Sequence, residues 1–173
     1  MINIVLFQPE IPPNTGNIIR TCKATQAKLH IIKPIAFDLD PKYLKRSAAG
    51  WILEDIEHEV YETYDDFLKK HSEKSIYYLT RYGKINYSDV NFKKYQNNDD
   101  LFVMFGTEST GIPKKILKNN LENCLRIPMD KDMRSLNLAN TVFLIAYEIQ
   151  RQWNFEKLSK YEVQKGQDFL LND

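Results

Sequence analysis

Short apolar runs that alternate with stretches of helical spacing are what most narrow the folds open to this chain. Residues 3–7, 29–32, 75–80, 101–105 and 124–127 are dominated by apolar, β-branched and aromatic side chains. Between or after them, residues 14–25, 41–49, 64–71, 113–119 and 137–153 place apolar side chains at helical intervals. A strand that is apolar on both faces has to be covered on both faces. The alternation therefore predicts an α/β fold, a mostly parallel sheet flanked by helices, with residues 58–61 as an added edge strand. A chain of 173 residues has the size of one compact domain, assigned here to residues 1–155. Residues 156–173 form a polar, lysine-rich tail, helical or partly disordered.

The last helical stretch carries two apolar stripes. Leu138, Val142, Ile145, Ala146, Ile149 and Trp153 make one, and Phe143, Leu144 and Tyr147 the other. Two apolar sides need two partners: the sheet and either a second subunit or more of the same core. No apolar run is long enough to span a bilayer, so no membrane partner is expected. The N-terminal apolar run lacks a basic leader and reads as a first strand. Cys22 and Cys124 lack CxxC spacing, which suits reduced thiols in a cytoplasmic protein. His30, His58 and His71 are scattered, and no metal site is expected from them. A net charge of +1 excludes binding of nucleic acid through bulk positive charge, so any such contact must be local.

Three segments follow predicted strands, where α/β proteins place their ligand sites. In the first, residues 9–21, paired prolines stiffen a loop, Asn14 or Thr15 is placed to cap the helix, and Arg20 emerges two turns later. The second, residues 105–113, is glycine-rich and carries Glu108. Its glycines have the Walker-A separation, but Ile112 and Pro113 stand where Lys and Ser or Thr would follow, so it is not a P-loop. No GxGxxG opens a helix, which argues against a dinucleotide site. The third, residues 126–137, ends in Ser135 and Asn137, either of which could cap the last helix. There is no GxSxG elbow of a hydrolase.

Together these segments resemble the three motifs of the SPOUT (trefoil-knot) RNA 2'-O-methyltransferases. Residues 14–20, Asn-Thr-Gly-Asn-Ile-Ile-Arg, are similar to the first motif; residues 105–111 to the second; residues 127–129 and 134–140 to the third. Residues 3–17 are especially similar to the TrmL group, which consists largely of the catalytic domain. Departures are mild: Thr107 where proline is frequent, Thr110 where a basic residue is common, and Ala139 and Thr141 in the third motif.

The resemblance implies a SPOUT fold with a deep C-terminal trefoil knot and a homodimer packed through its C-terminal helices. It implies S-adenosyl-L-methionine as cofactor, held around Leu79, Gly106, Ile127 and Ser135. It further implies Arg20 as the residue facing the ribose 2'-hydroxyl, with Asn14, Glu108, Ser135 and Asn137 orienting it, the ribose and the cofactor. The implied substrate is the anticodon stem-loop of tRNA, methylated on the wobble cytidine or uridine, leucine tRNAs being the expected ones. Two other readings stay open: a related enzyme acting on another tRNA or rRNA ribose, and a non-catalytic RNA-binding dimer.

Overall fold

The computed structural model describes residues 1–97 and 99–171. In chain order the elements are β1 (Ile2–Phe7), α1 (Pro12–Thr25), β2 (Lys28–Ile32), α2 (Pro41–Leu44), β3 (His58–Tyr61), α3 (Tyr64–His71), β4 (Ile76–Leu79), β5 (Ile85–Asn86), β6 (Leu101–Phe105), α4 (Lys114–Lys118), β7 (Cys124–Arg126) and α5 (Leu138–Gln152). The strands form one sheet in the order β3-β2-β1-β6-β4-β7-β5, with every pair parallel. This is the predicted α/β class, and its central strands explain the unbroken apolar runs. Ile4 and Leu6 face one core with Val103 and Phe105, under Ile18, Ile19 and Cys22 of α1 and Val142, Ile145 and Ile149 of α5. Val5 and Phe7 face the other with Phe102 and Met104, under Phe67 of α3 and Leu117 of α4.

One crossing fixes where the ligand site lies. Leu125 of β7 pairs with Leu79 at the end of β4 and with Ile85 at the start of β5. Residues 80–84 therefore carry the chain across the top of β7 in a single stride. Backbone lies on backbone there: a Cβ on Gly83 would come within 2.5 to 2.8 Å of Leu125 C, Cys124 O and Leu125 O. Only glycine permits that approach.

Several elements differ from expectation. Helix α1 begins at Pro12, with Ile11 at its N-cap and no side-chain cap, so neither Asn14 nor Thr15 caps it. Tandem prolines supply a preset φ and no donor to satisfy, which leaves Asn14 free for a tertiary role. Helix α2 ends at Leu44 instead of residue 49, and the chain goes on as turns. Ala49 and Gly50 there adopt left-handed backbone, at φ 54° and 94°. Strand β5 is two residues long and offers no periodicity to read. Asn154 and Phe155, at φ 54° and 51°, end the path of α5. In the described tail the only helical piece is a 3-10 turn at Phe169–Leu171; residues 172 and 173 lie outside the described residues.

Along α5, Ala139, Val142, Ile145, Ala146 and Ile149 are buried, as the first stripe requires. On the second stripe Phe143 is 52% exposed and its ring lies 4.6 Å from that of Tyr147, while Leu144 and Tyr147 are half-buried. Burial pushes the Cys22 thiol up to about 12, which makes it inert as a nucleophile. No helix among the described residues is long and apolar enough to cross a membrane.

Candidate active site

A cavity of about 630 Å³ opens at the C-terminal ends of β4, β6 and β7, beside the 80–84 crossing. Leu79, Gly106, Ile127 and Ser135 all line it, as do Asn14, Glu108 and Asn137. Seven residues scattered from position 14 to position 137 thus share one site.

The loop after β6 closes on itself. Thr107 and Gly111 form an antiparallel bridge, and Thr107 Oγ1 accepts from the Thr110 and Gly111 amides at 3.0 and 3.1 Å. Gly111 sits at φ 75°. A Cβ on Gly106 would lie 2.1 Å from the Gly111 carbonyl carbon, so the turn closes only because position 106 has no side chain. This turn aims Glu108 at the start of α1. Its carboxylate accepts from the Glu10 and Ile11 amides at 2.9 and 3.2 Å and from Asn14 Nδ2 at 3.0 Å. Negative charge is favourable beside a helix start, where amides point outward unpaired. The reciprocal contact is also made: the Glu10 carboxylate accepts from Ser109 N at 2.9 Å and Ser109 Oγ at 2.7 Å. Two carboxylates therefore clasp the two loops together.

The third segment joins through Asn137, whose Nδ2 donates to Asn14 Oδ1 at 3.0 Å while its Oδ1 accepts from Asn140 N and caps α5. Of the two capping candidates, Asn137 is the cap; Ser135 is exposed on the cavity wall. With its oxygen held by Asn137 and its nitrogen by Glu108, Asn14 has its amide orientation fixed. Arg20 stands apart. It is exposed on α1 and does not line the cavity of its own chain.

Elsewhere, two histidines that looked scattered in sequence come together. Ligating atoms of His30, Glu59 and His71 lie within 4.8 Å of one another. The Tyr61 hydroxyl sits among them, 2.9 Å from His30 Nδ1, 3.0 Å from His71 Nε2 and 2.6 Å from Glu59 Oε2. Lys28 and Lys70 hold the two Glu59 oxygens, each at 2.6 Å. Such a set is a hydrogen-bond network whose only carboxylate is already paired with two lysines. Burial, followed by the nearby Lys28 charge, pushes His30 down to about 3. Burial would raise Glu59, but hydrogen bonds from Lys28, Lys70 and Tyr61 outweigh it and hold the carboxyl well below its usual range. β2–β3 pairing creates the cluster, so no local motif announces it.

A parallel sheet whose strand-end loops close over one cavity beside a chain crossing defines an α/β protein with a single ligand site at the carboxyl ends of its strands. The chain belongs to the SpoU rRNA methylase family, whose sequence profile matches residues 1–147, in agreement with the SPOUT resemblance. It is 41% identical over 161 residues to the tRNA (cytidine(34)-2'-O)-methyltransferase of Escherichia coli K12, covering 90% of this chain and 96% of that protein. A Listeria monocytogenes protein provisionally assigned the same activity is 46% identical over 156 residues, 90% of each chain. A solved structure described as giving insights into the 2-OH methylation of C/U34 on tRNA superposes with a TM-score of 0.81 at 32% identity, covering 90% of this chain and 98% of that one.

Proposed function

We propose that this chain transfers a methyl group from S-adenosyl-L-methionine to the ribose 2'-hydroxyl of the wobble cytidine or uridine of tRNA, in the cytoplasm. The observation that carries the reading is the Glu108–Asn14–Asn137 chain of hydrogen bonds, which ties three loops around one cavity. That cavity has the volume of a small-molecule site. Its walls include Leu79 at the end of β4 and Gly106 and Ile127 just after β6 and β7, whose main-chain groups would hold the adenine. When bound, the cofactor supplies an activated methyl on a sulfonium, so the chain's own task is positioning and charge stabilisation. Ser135 and Asn137 would orient the cofactor and ribose, and Glu108 would hold Asn14 in place for both.

Arg20 would stabilise the oxyanion that develops at the ribose oxygen. A guanidinium stays protonated in proteins, so Arg20 is not the base; the proton leaves to a phosphate oxygen or to water. Because Arg20 lies outside its own cavity, the reading includes a homodimer in which Arg20 of the partner subunit faces the site. The exposed Phe143 on α5 supports that assembly. The reading also takes residues 1–155 as one catalytic domain, with β7 threaded beneath the 80–84 span as in a trefoil knot.

The test is mass spectrometric mapping of ribose methylation in tRNA from cells with and without the gene, leucine isoacceptors first. One wobble mark should vanish and return when purified protein and S-adenosyl-L-methionine are added to the unmodified tRNA. A wobble mark that persists in the deletion strain refutes the substrate assignment.

A further inference from the structure

Tyr82 stands out at the mouth of the cavity. It lines the site and is 69% exposed; single exposed aromatics are ordinary on a protein surface, so what marks this one is its place at the cavity and the way it is held. The turn that carries it is held firmly. Thr80 N donates to Leu125 O at 2.9 Å, Gly83 N donates to Thr80 O at 3.2 Å, and Tyr82 N donates to Thr80 Oγ1 at 3.3 Å. Arg126 of β7 donates to the Arg81 carbonyl, and the buried Gly83 is pressed against the β7 backbone. The Arg81 guanidinium lies over one face of the Tyr82 ring, its Cζ 4.8 Å from the centroid, with Nη2 donating to the hydroxyl at 2.6 Å. One face of the ring is thus backed by a cation, and the other is left to solvent on a rigid mount.

We propose that Tyr82, backed by Arg81, is a stacking platform for a nucleobase at or next to the methylated nucleotide of the RNA substrate. A fixed, exposed aromatic beside positive charge is how proteins hold unpaired bases of loops and single strands. Here the charge is local, supplied by Arg81, Lys84 and Arg126 around the turn, as a chain of net charge +1 requires. A base held at the rim would leave its ribose to enter the cavity. The proposal rests on the reading of this cavity as an RNA 2'-O-methylation site and adds to it a recognition element.

Binding of a synthetic anticodon stem-loop RNA is measured for the wild-type protein, Tyr82→Ala and Tyr82→Trp, with S-adenosyl-L-methionine binding measured separately by calorimetry. Tyr82→Ala should weaken RNA binding about tenfold, and Tyr82→Trp should retain it. Cofactor affinity should be the same in all three. The penalty of Tyr82→Ala should disappear in one stem-loop carrying an abasic site, at the target position or at one of its two neighbours. Equal RNA affinity for wild type and Tyr82→Ala overturns the platform alone. A loss confined to cofactor affinity overturns it too, assigning the ring to the cofactor adenine. A wild-type protein that binds the cofactor but not the stem-loop overturns the underlying reading and the platform with it.

Discussion

Glu108 shows how much one side chain can organise. Its two oxygens hold two backbone amides and the Asn14 side chain, and through Asn14 they reach Asn137 at the head of α5. Glu108→Gln keeps the shape but turns an amide NH2 toward donors. It should cost about 1–3 kcal/mol in chemical denaturation, and methyl transfer should fall sharply; a variant as stable and active as the wild type would refute the orienting role. Arg20→Ala makes no such demand on the fold, because Arg20 is exposed. Its expected signature is intact cofactor affinity by calorimetry with methyl transfer lowered about a hundredfold or more; unchanged turnover would remove Arg20 from the mechanism. At this scale the sequence was readable for residue identity but not for every job. Asn14 looked like a cap because asparagine before an apolar run usually is one, yet the prolines ahead of it had already started the helix.

Among the elements, the strands were the most legible, since burial on both faces leaves a continuous apolar imprint. Strand β6 matches its expected residues end to end, and β1 differs by one residue. Helix α2 was overread because its end depends on contact with α1. At Gly16 a Cβ would lie 2.7 Å from the Leu44 carbonyl oxygen, an approach no periodicity reveals. The His30 cluster was equally hidden, being made by the pairing of β2 with β3 and the packing of α3 over both. It sets a pH dependence. His30 is pushed down to about 3 and faces Asn3 of β1, Lys28, Glu59, Tyr61, Lys70 and His71. His71 is lowered as well, chiefly by burial. With folded pKa values below the unfolded ones, the unfolded chain takes up protons first as pH falls through about 6.5. Glu59, also depressed, adds to the loss below its ordinary range. Stability should therefore fall on acidification from pH 7 toward pH 3, with a slope of about 1.4 kcal/mol per pH unit for each proton linked. His30→Gln should flatten the upper part of that curve in urea titrations. A wild-type curve that rises between pH 7 and pH 5 would contradict the account.

For the molecule as a whole, the class of fold was plain in the alternation of apolar runs, while the place of β7 was not. A three-residue strand between two earlier ones is set by long-range contact, not by local preference. Gly83 is where that contact is tightest. Gly83→Ala would force Cβ into the carbonyls of Cys124 and Leu125, and it should abolish cooperative unfolding together with cofactor binding. A folded Gly83→Ala protein that still binds the cofactor would show that the strand can yield. The same crossing orders events during synthesis. A ribosome delivers β4, its bridge and β5 well before β7, so on the proposed threading the late strand enters beneath a span that precedes it in the chain, and β5 gains its one sheet neighbour only then. Maturation then finishes at the trailing end of the polypeptide, and a bulky passenger fused there should delay it far more than the same passenger fused at the front.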